Sequence, residues 1–145
     1  MKACVLVLFC LLIATKEAKV FKKCELYSYL KKLGLDRFHG FRLDHWICLA
    51  LFSSKFDTAH YEFDGKAPYY GIFQLSGLIW CSNGRHFSEN RCQIDCDRFL
   101  DDDITDDVLC AKKVISQNIQ EMMSWPRYAE YCTLSMPEVS SWECK

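Results

Sequence analysis

Cys92-Gln93-Ile94-Asp95-Cys96-Asp97-Arg98-Phe99-Leu100-Asp101-Asp102-Asp103-Ile104-Thr105-Asp106-Asp107-Val108-Leu109-Cys110-Ala111-Lys112-Lys113 sets three cysteines around an acidic loop and the start of a helix. Thr105 reads as the N-cap with Asp106 and Asp107 in the first turn; Val108, Cys110, Ala111, Val114 and Ile115 form the apolar stripe, and Lys112-Lys113 face out. Seven aspartates crowd into residues 95–107. For Asp106 and Asp107 alone, a solvated helix start is the better reading. Asp101-Asp102-Asp103 just before the helix changes the balance, because a loop can aim several carboxylates and backbone carbonyls at one centre. That donor set suits a hard divalent ion, calcium rather than magnesium, with a plain solvated acidic loop as the alternative. The EF-hand is excluded, since its alternating oxygen ligands, glycine and terminal glutamate are missing.

The chain has 145 residues, ten of them cysteine, with 18 basic and 19 acidic side chains and 14% aromatics. Such a composition supports one core and excludes disorder. No basic stripe is present for nucleic acid, and no apolar run reaches the roughly 18 residues of a membrane span. Met1-Lys2, the apolar run Ala3 to Ala14 and the polar Thr15-Lys16-Glu17-Ala18 read as a secretory signal over residues 1–18. The remaining 19–145 would be one secreted domain beginning at Lys19. Removing Lys2, Lys16 and Glu17 leaves 16 basic against 18 acidic side chains, which disfavours a cationic membrane-lytic peptide. Cys4 and Cys10 leave with the signal. In an exported chain the eight that remain read as four disulfides, although spacing alone does not choose the pairing. A zinc site at Cys92-x3-Cys96 is disfavoured, because His39, His45, His60 and His86 show no matching spacing.

Between these landmarks the periodicity alternates. Lys22 to Leu33 predicts a short amphipathic helix on Cys24, Tyr27, Leu30 and Leu33, stopped by Gly34. Asp44 is expected to cap a buried helix through Trp46, Ile47, Leu49, Ala50 and Leu51 to about Ser53. Tyr61 and Phe63 alternate into Asp64-Gly65, and Tyr69 to Leu75 follows, predicting a small antiparallel sheet. Ser82-Asn83-Gly84 marks a turn before the polar loop Arg85 to Asn90. A last short helix is expected from Ile119 to Trp125, stopped by Pro126, with a further break at Pro137.

Taken together, Lys19-Val20-Phe21-x2-Cys24-Glu25-Leu26, Trp46-x-Cys48, Tyr70-Gly71-Ile72-Phe73-Gln74, Trp80-Cys81 and Cys92-x3-Cys96-x13-Cys110-Ala111-Lys112-Lys113 resemble the c-type lysozyme and α-lactalbumin family across the whole 19–145 chain. The resemblance implies an α+β fold: a helical lobe over about 19–56 and 102–145, and a β lobe over about 57–101, around a cleft. It also implies bridges Cys24–Cys144, Cys48–Cys132, Cys81–Cys96 and Cys92–Cys110. The loop from Arg98 to Asp107 looks most like the calcium loop of α-lactalbumins and calcium-binding lysozymes. Carried over by position, the side-chain ligands are Asp101, Asp106 and Asp107, the backbone carbonyls come from Arg98 and Asp103, and Asp102 is a spectator.

Lysozymes of this family work with a protonated glutamate and an opposing aspartate. By position those places hold Ser53 and Tyr69, and neither supplies that acid pair. Glu62 and Asp64 nearby read as turn and surface residues. Ser76 and Ile79 replace the family's sugar-binding asparagine and tryptophan, while Trp80 and Trp125 remain, with core packing as their favoured role. No catalysis is therefore expected. The resemblance then points to the α-lactalbumin branch, a secreted milk protein that binds β-1,4-galactosyltransferase and directs it to glucose for lactose synthesis. The partner surface would fall on Leu51, Phe52 and Trp142, in a monomer; only Trp142 matches that branch directly, with Ser141 beside it. The alternatives are a lysozyme-like protein that binds glycan in the cleft without cleaving it, and a weakly bacteriolytic one acting on peptidoglycan.

Overall fold

Residues 17–133 and Cys144 are described by a computed structural model. The expected signal segment as far as residue 16, together with Pro137, Ser141 and Trp142, lies outside the described residues.

Helix α1 spans Lys23–Lys32. Glu25 in its first turn accepts the Lys22 N–H through Oε1 at 3.3 Å, and Lys31 and Lys32 close the last turn. Gly34 follows in the left-handed region, φ 80°, as the stop predicts. The buried stripe is turned relative to expectation: Leu26 and Leu30 are buried, whereas Tyr27 and Leu33 only pack against the core. Helix α2, Leu43–Ser54, is the core helix, with Trp46, Cys48, Leu49 and Ala50 fully buried. Its start differs from the sequence reading. The cap position is Arg42, and Asp44 sits inside the first turn, where its Oδ2 accepts the Arg42 guanidinium at 3.1 Å.

The β region is a three-stranded antiparallel sheet in the order β1 (Tyr61–Phe63), β2 (Pro68–Tyr70), β3 (Leu75–Ser76). The run Tyr69 to Leu75 is thus not one strand. It is broken by a turn over residues 71–74 that enters at Gly71, φ 82°, and leaves at Gln74, φ 50°. Packing forces the break. A Cβ at Gly71 would lie 2.3 Å from the Phe99 carbonyl oxygen and 2.6 Å from Asp107 Oδ2, so the backbone there runs directly against the acidic loop.

Beyond the sheet, a 3-10 turn over Cys96–Phe99 leads to helix α3, Thr105–Gln117. Thr105 is the first helical residue rather than its cap. Asp103 Oδ1 accepts the Thr105 N–H at 3.0 Å, so the carboxylate two positions earlier satisfies this end of the helix. Lys112, expected to face out, instead donates to the Leu33 carbonyl at 2.7 Å and lies over Phe38, satisfying the carboxyl end of α1. The expected Ile119–Trp125 helix is reduced to a 3-10 turn, Glu121–Ser124, and a π-helical turn over Tyr128–Cys132 follows Pro126. The four disulfides pair Cys24–Cys144, Cys48–Cys132, Cys81–Cys96 and Cys92–Cys110, and the small sheet beside the helices completes the α+β lysozyme-like fold.

Candidate functional site

Antiparallel register decides which side chains meet. Glu62 on β1 pairs with Tyr69 on β2, so the two share one face of the sheet. That face closes a pocket of about 150 Å³ whose other wall is Ser53 from the end of α2 together with Trp125, Pro126 and Arg127. The positions that the resemblance reserves for two acids, Ser53 and Tyr69, therefore line one cleft. A second pocket of about 180 Å³ shares Tyr69, Gln74, Trp125 and Pro126 with the first and extends the groove past Ser76, Ile79 and Trp80. Trp80 and Trp125 belong to the core, as expected, yet each also presents a surface to this groove.

Glu62 and Asp64 are accessible as expected, Asp64 in the turn after β1, and both also line the first pocket. Asp64 does serve the turn as well, accepting the Lys66 and Ala67 N–H groups at 2.8 Å each and the Tyr69 hydroxyl at 3.2 Å. Those backbone donors hold its carboxyl below the usual carboxylate range. Glu62 Oε1 meets His60 Nε2 at 2.8 Å, and its Oε2 meets the Arg127 guanidinium at 3.4 Å across the pocket. The His60 hydrogen bond, with a lesser contribution from Arg127, likewise holds the Glu62 carboxyl down. Both cleft carboxyls are thus shifted downward, away from the raised range that suits a general acid. On the floor, Ser53 Oγ and Gln74 Oε1 are buried without hydrogen-bond partners among the described residues. Gln74 Nε2 donates to the His60 and Gly71 carbonyls at 2.9 Å each, and Trp125 Nε1 donates to the Phe73 carbonyl at 2.9 Å. His60 and Arg127 were not singled out from the sequence. The alternation His60-x-Glu62 at the entry to β1 could have revealed the first, whereas nothing local marks Arg127.

Behind the Gly71 turn lies the acidic loop. Asp107 is fully buried and neither carboxylate oxygen has a hydrogen-bond partner among the described residues. Burial pushes its carboxyl well above the usual range; its own backbone N–H opposes this, and the charges of Asp101, Asp106 and Asp103 add to the rise. A buried carboxylate with both oxygens unsatisfied calls for a proton or a cation. The donor chemistry thus fits a hard cation at Asp107. The other carboxylates are turned to protein partners: Asp101 Oδ1 accepts the Asp103 N–H at 3.0 Å, Asp103 Oδ1 accepts that of Thr105, and Asp106 Oδ2 lies 3.6 Å from Arg98 Nε. Among the described residues no group of three or more His, Cys, Asp or Glu side chains is arranged to hold a metal. Of the expected partner-surface residues, Leu51 and Phe52 are half-buried, and Phe52 stacks on Tyr131 with ring centroids 4.9 Å apart.

Comparison with known proteins agrees with this geometry. The family model for the C-type lysozyme/alpha-lactalbumin family matches residues 19–144. Mouse sperm acrosome-associated protein 5 is 41% identical over 137 residues, covering 91% of this chain and 84% of its own length. Alpha-lactalbumin of Tachyglossus aculeatus aculeatus is 37% identical over 130 residues, covering 87% of this chain and 100% of its own. The solved structure of recombinant wild-type canine milk lysozyme, apo-type, superposes with a TM-score of 0.79 at 38% identity, covering 86% of this chain and 99% of that one. With its bridges, its sheet and its cleft in place, the chain belongs to the C-type lysozyme/alpha-lactalbumin family.

Proposed function

We propose that this is a secreted, calcium-stabilised, non-lytic member of the family that acts on a partner, and that the partner is a β-1,4-galactosyltransferase whose acceptor choice it alters in the manner of α-lactalbumin. The observation that carries the reading is the cleft. Ser53 and Tyr69 stand at the acid positions, and the carboxyls that line the same pocket, Glu62 and Asp64, are both shifted below the usual range, away from what a general acid needs. The calcium half of the proposal rests on Asp107, whose buried, unsatisfied carboxylate suits a cation. Asp101, Asp106 and Asp107 would supply carboxylates, and Arg98 and Asp103 backbone carbonyls. Calcium there would supply positive charge to a self-repelling loop. Likeness to α-lactalbumin supports the partner, with Leu51 and Phe52, the latter stacked on Tyr131, as the described part of its surface.

The test is galactosyltransferase activity toward glucose, with and without folded 19–145 protein, in calcium and then in chelator. A calcium-dependent rise in lactose is expected. No rise with folded protein would overturn the partner assignment. The second reading, glycan binding without cleavage, is favoured by one observation, the groove shared by Trp80 and Trp125. Titrating N-acetylglucosamine oligomers while following tryptophan fluorescence separates the two; an unchanged signal removes the glycan reading.

A further inference from the structure

We infer that the pocket between Ser53, Glu62, Asp64, Gln74 and Trp125 is a binding site for a primary alkylammonium group, carried by a free amine or by a lysine side chain of a partner. What its floor lacks is donors. Gln74 is 8% exposed, and its Nε2 spends both protons on the His60 and Gly71 carbonyls at 2.9 Å each, so the amide is fixed with its oxygen left over. That oxygen has no hydrogen-bond partner among the described residues, and neither has the Oγ of Ser53, which is 4% exposed. Gln74 Oε1 can only accept. Whatever satisfies it brings an N–H or an O–H.

Charge selects between those two kinds of donor. Glu62 and, two residues on, Asp64 line the same pocket, and both carboxyls sit below the usual range, so each carries its negative charge at neutral pH. Among the described lining residues one cation opposes them, Arg127, which meets Glu62 Oε2 at 3.4 Å; His60 holds Oε1 at 2.8 Å from outside the lining. Two carboxylates against one guanidinium leave a net negative pocket, which repels carboxylate, sulfate and phosphate groups and favours a cation over a neutral hydroxyl. The carboxylates also have acceptor capacity to spare. Asp64 Oδ1 takes the Lys66 and Ala67 N–H groups, but Oδ2 takes only the Tyr69 hydroxyl, and each Glu62 oxygen has a single printed contact. An ammonium brings three N–H donors and one positive charge, answering the floor and the wall together. Trp125 and Pro126 supply the apolar side on which the methylene stem of an amine packs, in a volume of about 150 Å³. The site stands whether or not a galactosyltransferase is the partner.

The test is a titration of the folded, four-disulfide protein near neutral pH, in excess calcium to compete for the aspartates of residues 95–107. The probes are diaminopentane and Nα-acetyl-lysine N-methylamide, with pentanediol as the neutral match of the first. A nitrogen–proton correlation spectrum follows Gln74 Nε2 and Trp125 Nε1. Saturable shifts at both resonances are expected with one or both amines and none with the diol; binding of the diamine alone assigns a free amine, and binding of the capped lysine assigns a partner's side chain. Glu62→Gln, which removes one wall charge and leaves the floor intact, should weaken binding about tenfold or more. Asp36→Asn, at an exposed acid outside the pocket, should leave it unchanged. Binding by neither amine, equal shifts with the diol, unchanged affinity in Glu62→Gln, or shifts confined to residues 95–107 would each overturn the proposal.

Discussion

Replacing Gly71 with alanine tests the contact that joins the cleft to the acidic loop. Two effects add. The residue sits at φ 82°, where a side chain costs about 1–2 kcal/mol. The new Cβ also meets the Phe99 carbonyl oxygen at 2.3 Å and Asp107 Oδ2 at 2.6 Å, and backbone has to move, an overpacking cost of about 1–3 kcal/mol. The expected loss is about 2–5 kcal/mol. Gly65→Ala isolates the first effect: its φ is 89°, but nothing lies within 4 Å of the added carbon, so about 1–2 kcal/mol is expected there. Urea unfolding of both variants, in calcium and in chelator, gives the comparison. Gly71→Ala should be worse by about 1–3 kcal/mol and should lose part of any stabilisation by calcium, because the displaced oxygen belongs to Asp107. Equal losses in the two variants would refute the close approach and the link to the aspartates.

Calcium above saturation should add about 1.4 kcal/mol of stability for each tenfold rise in free ion, as a shift in melting temperature would show; Asp106→Ala should abolish the effect while Asp102→Ala mostly keeps it, and equal effects would refute the ligand assignment. The Cys24–Cys144 bridge closes a separation of 120 residues and Cys92–Cys110 one of 18, so replacing the first pair by alanine should cost about 5 kcal/mol and the second about 3 in denaturant titrations, under the chain-entropy account. Because Glu62 is held below its ordinary value, chiefly by His60, its stabilising contribution is full above the usual glutamate range and is lost as pH falls through the lowered folded-state value. The stability difference between wild type and Glu62→Gln should shrink on acidification and stay within about 1 kcal/mol, since both partners in the Arg127 pair are over 40% exposed.

What the sequence reveals depends on whether the decisive neighbour is close in the chain. The apolar stripe of α3, the buried character of α2 and the Asp64-Gly65 reversal are legible because each is set within a few residues. The strand break at Gly71 is not, since its cause, Phe99 and Asp107, lies about thirty residues away. The same holds for Lys112, which reads as solvent-facing until Leu33 is placed beside it, and for Arg127, which reaches Glu62 across 65 positions. Thr105 is a different failure. The motif is a good cap on its face, but Asp103 reaches the helix end first, and three consecutive aspartates offer several local competitors for one N–H. The cysteine pairing follows from the family resemblance alone, because spacing does not choose among the combinations.

The turn over residues 71–74 explains how the acidic loop can matter to the cleft. Its first residue abuts Asp107, its third gives a carbonyl to Trp125 Nε1, and its last lies on the cleft floor. These contacts join the aspartate loop, the helical wall and the floor through four residues of backbone. A cation that drew the Asp107 oxygens toward itself would relieve the like charges behind Gly71 and brace the turn, and through it the Trp125 wall. Under the proposed function, calcium thus serves shape rather than chemistry. Chelation should then perturb Trp125 fluorescence before global unfolding begins. A tryptophan signal that changes only together with far-UV circular dichroism would show that the loop and the cleft are uncoupled.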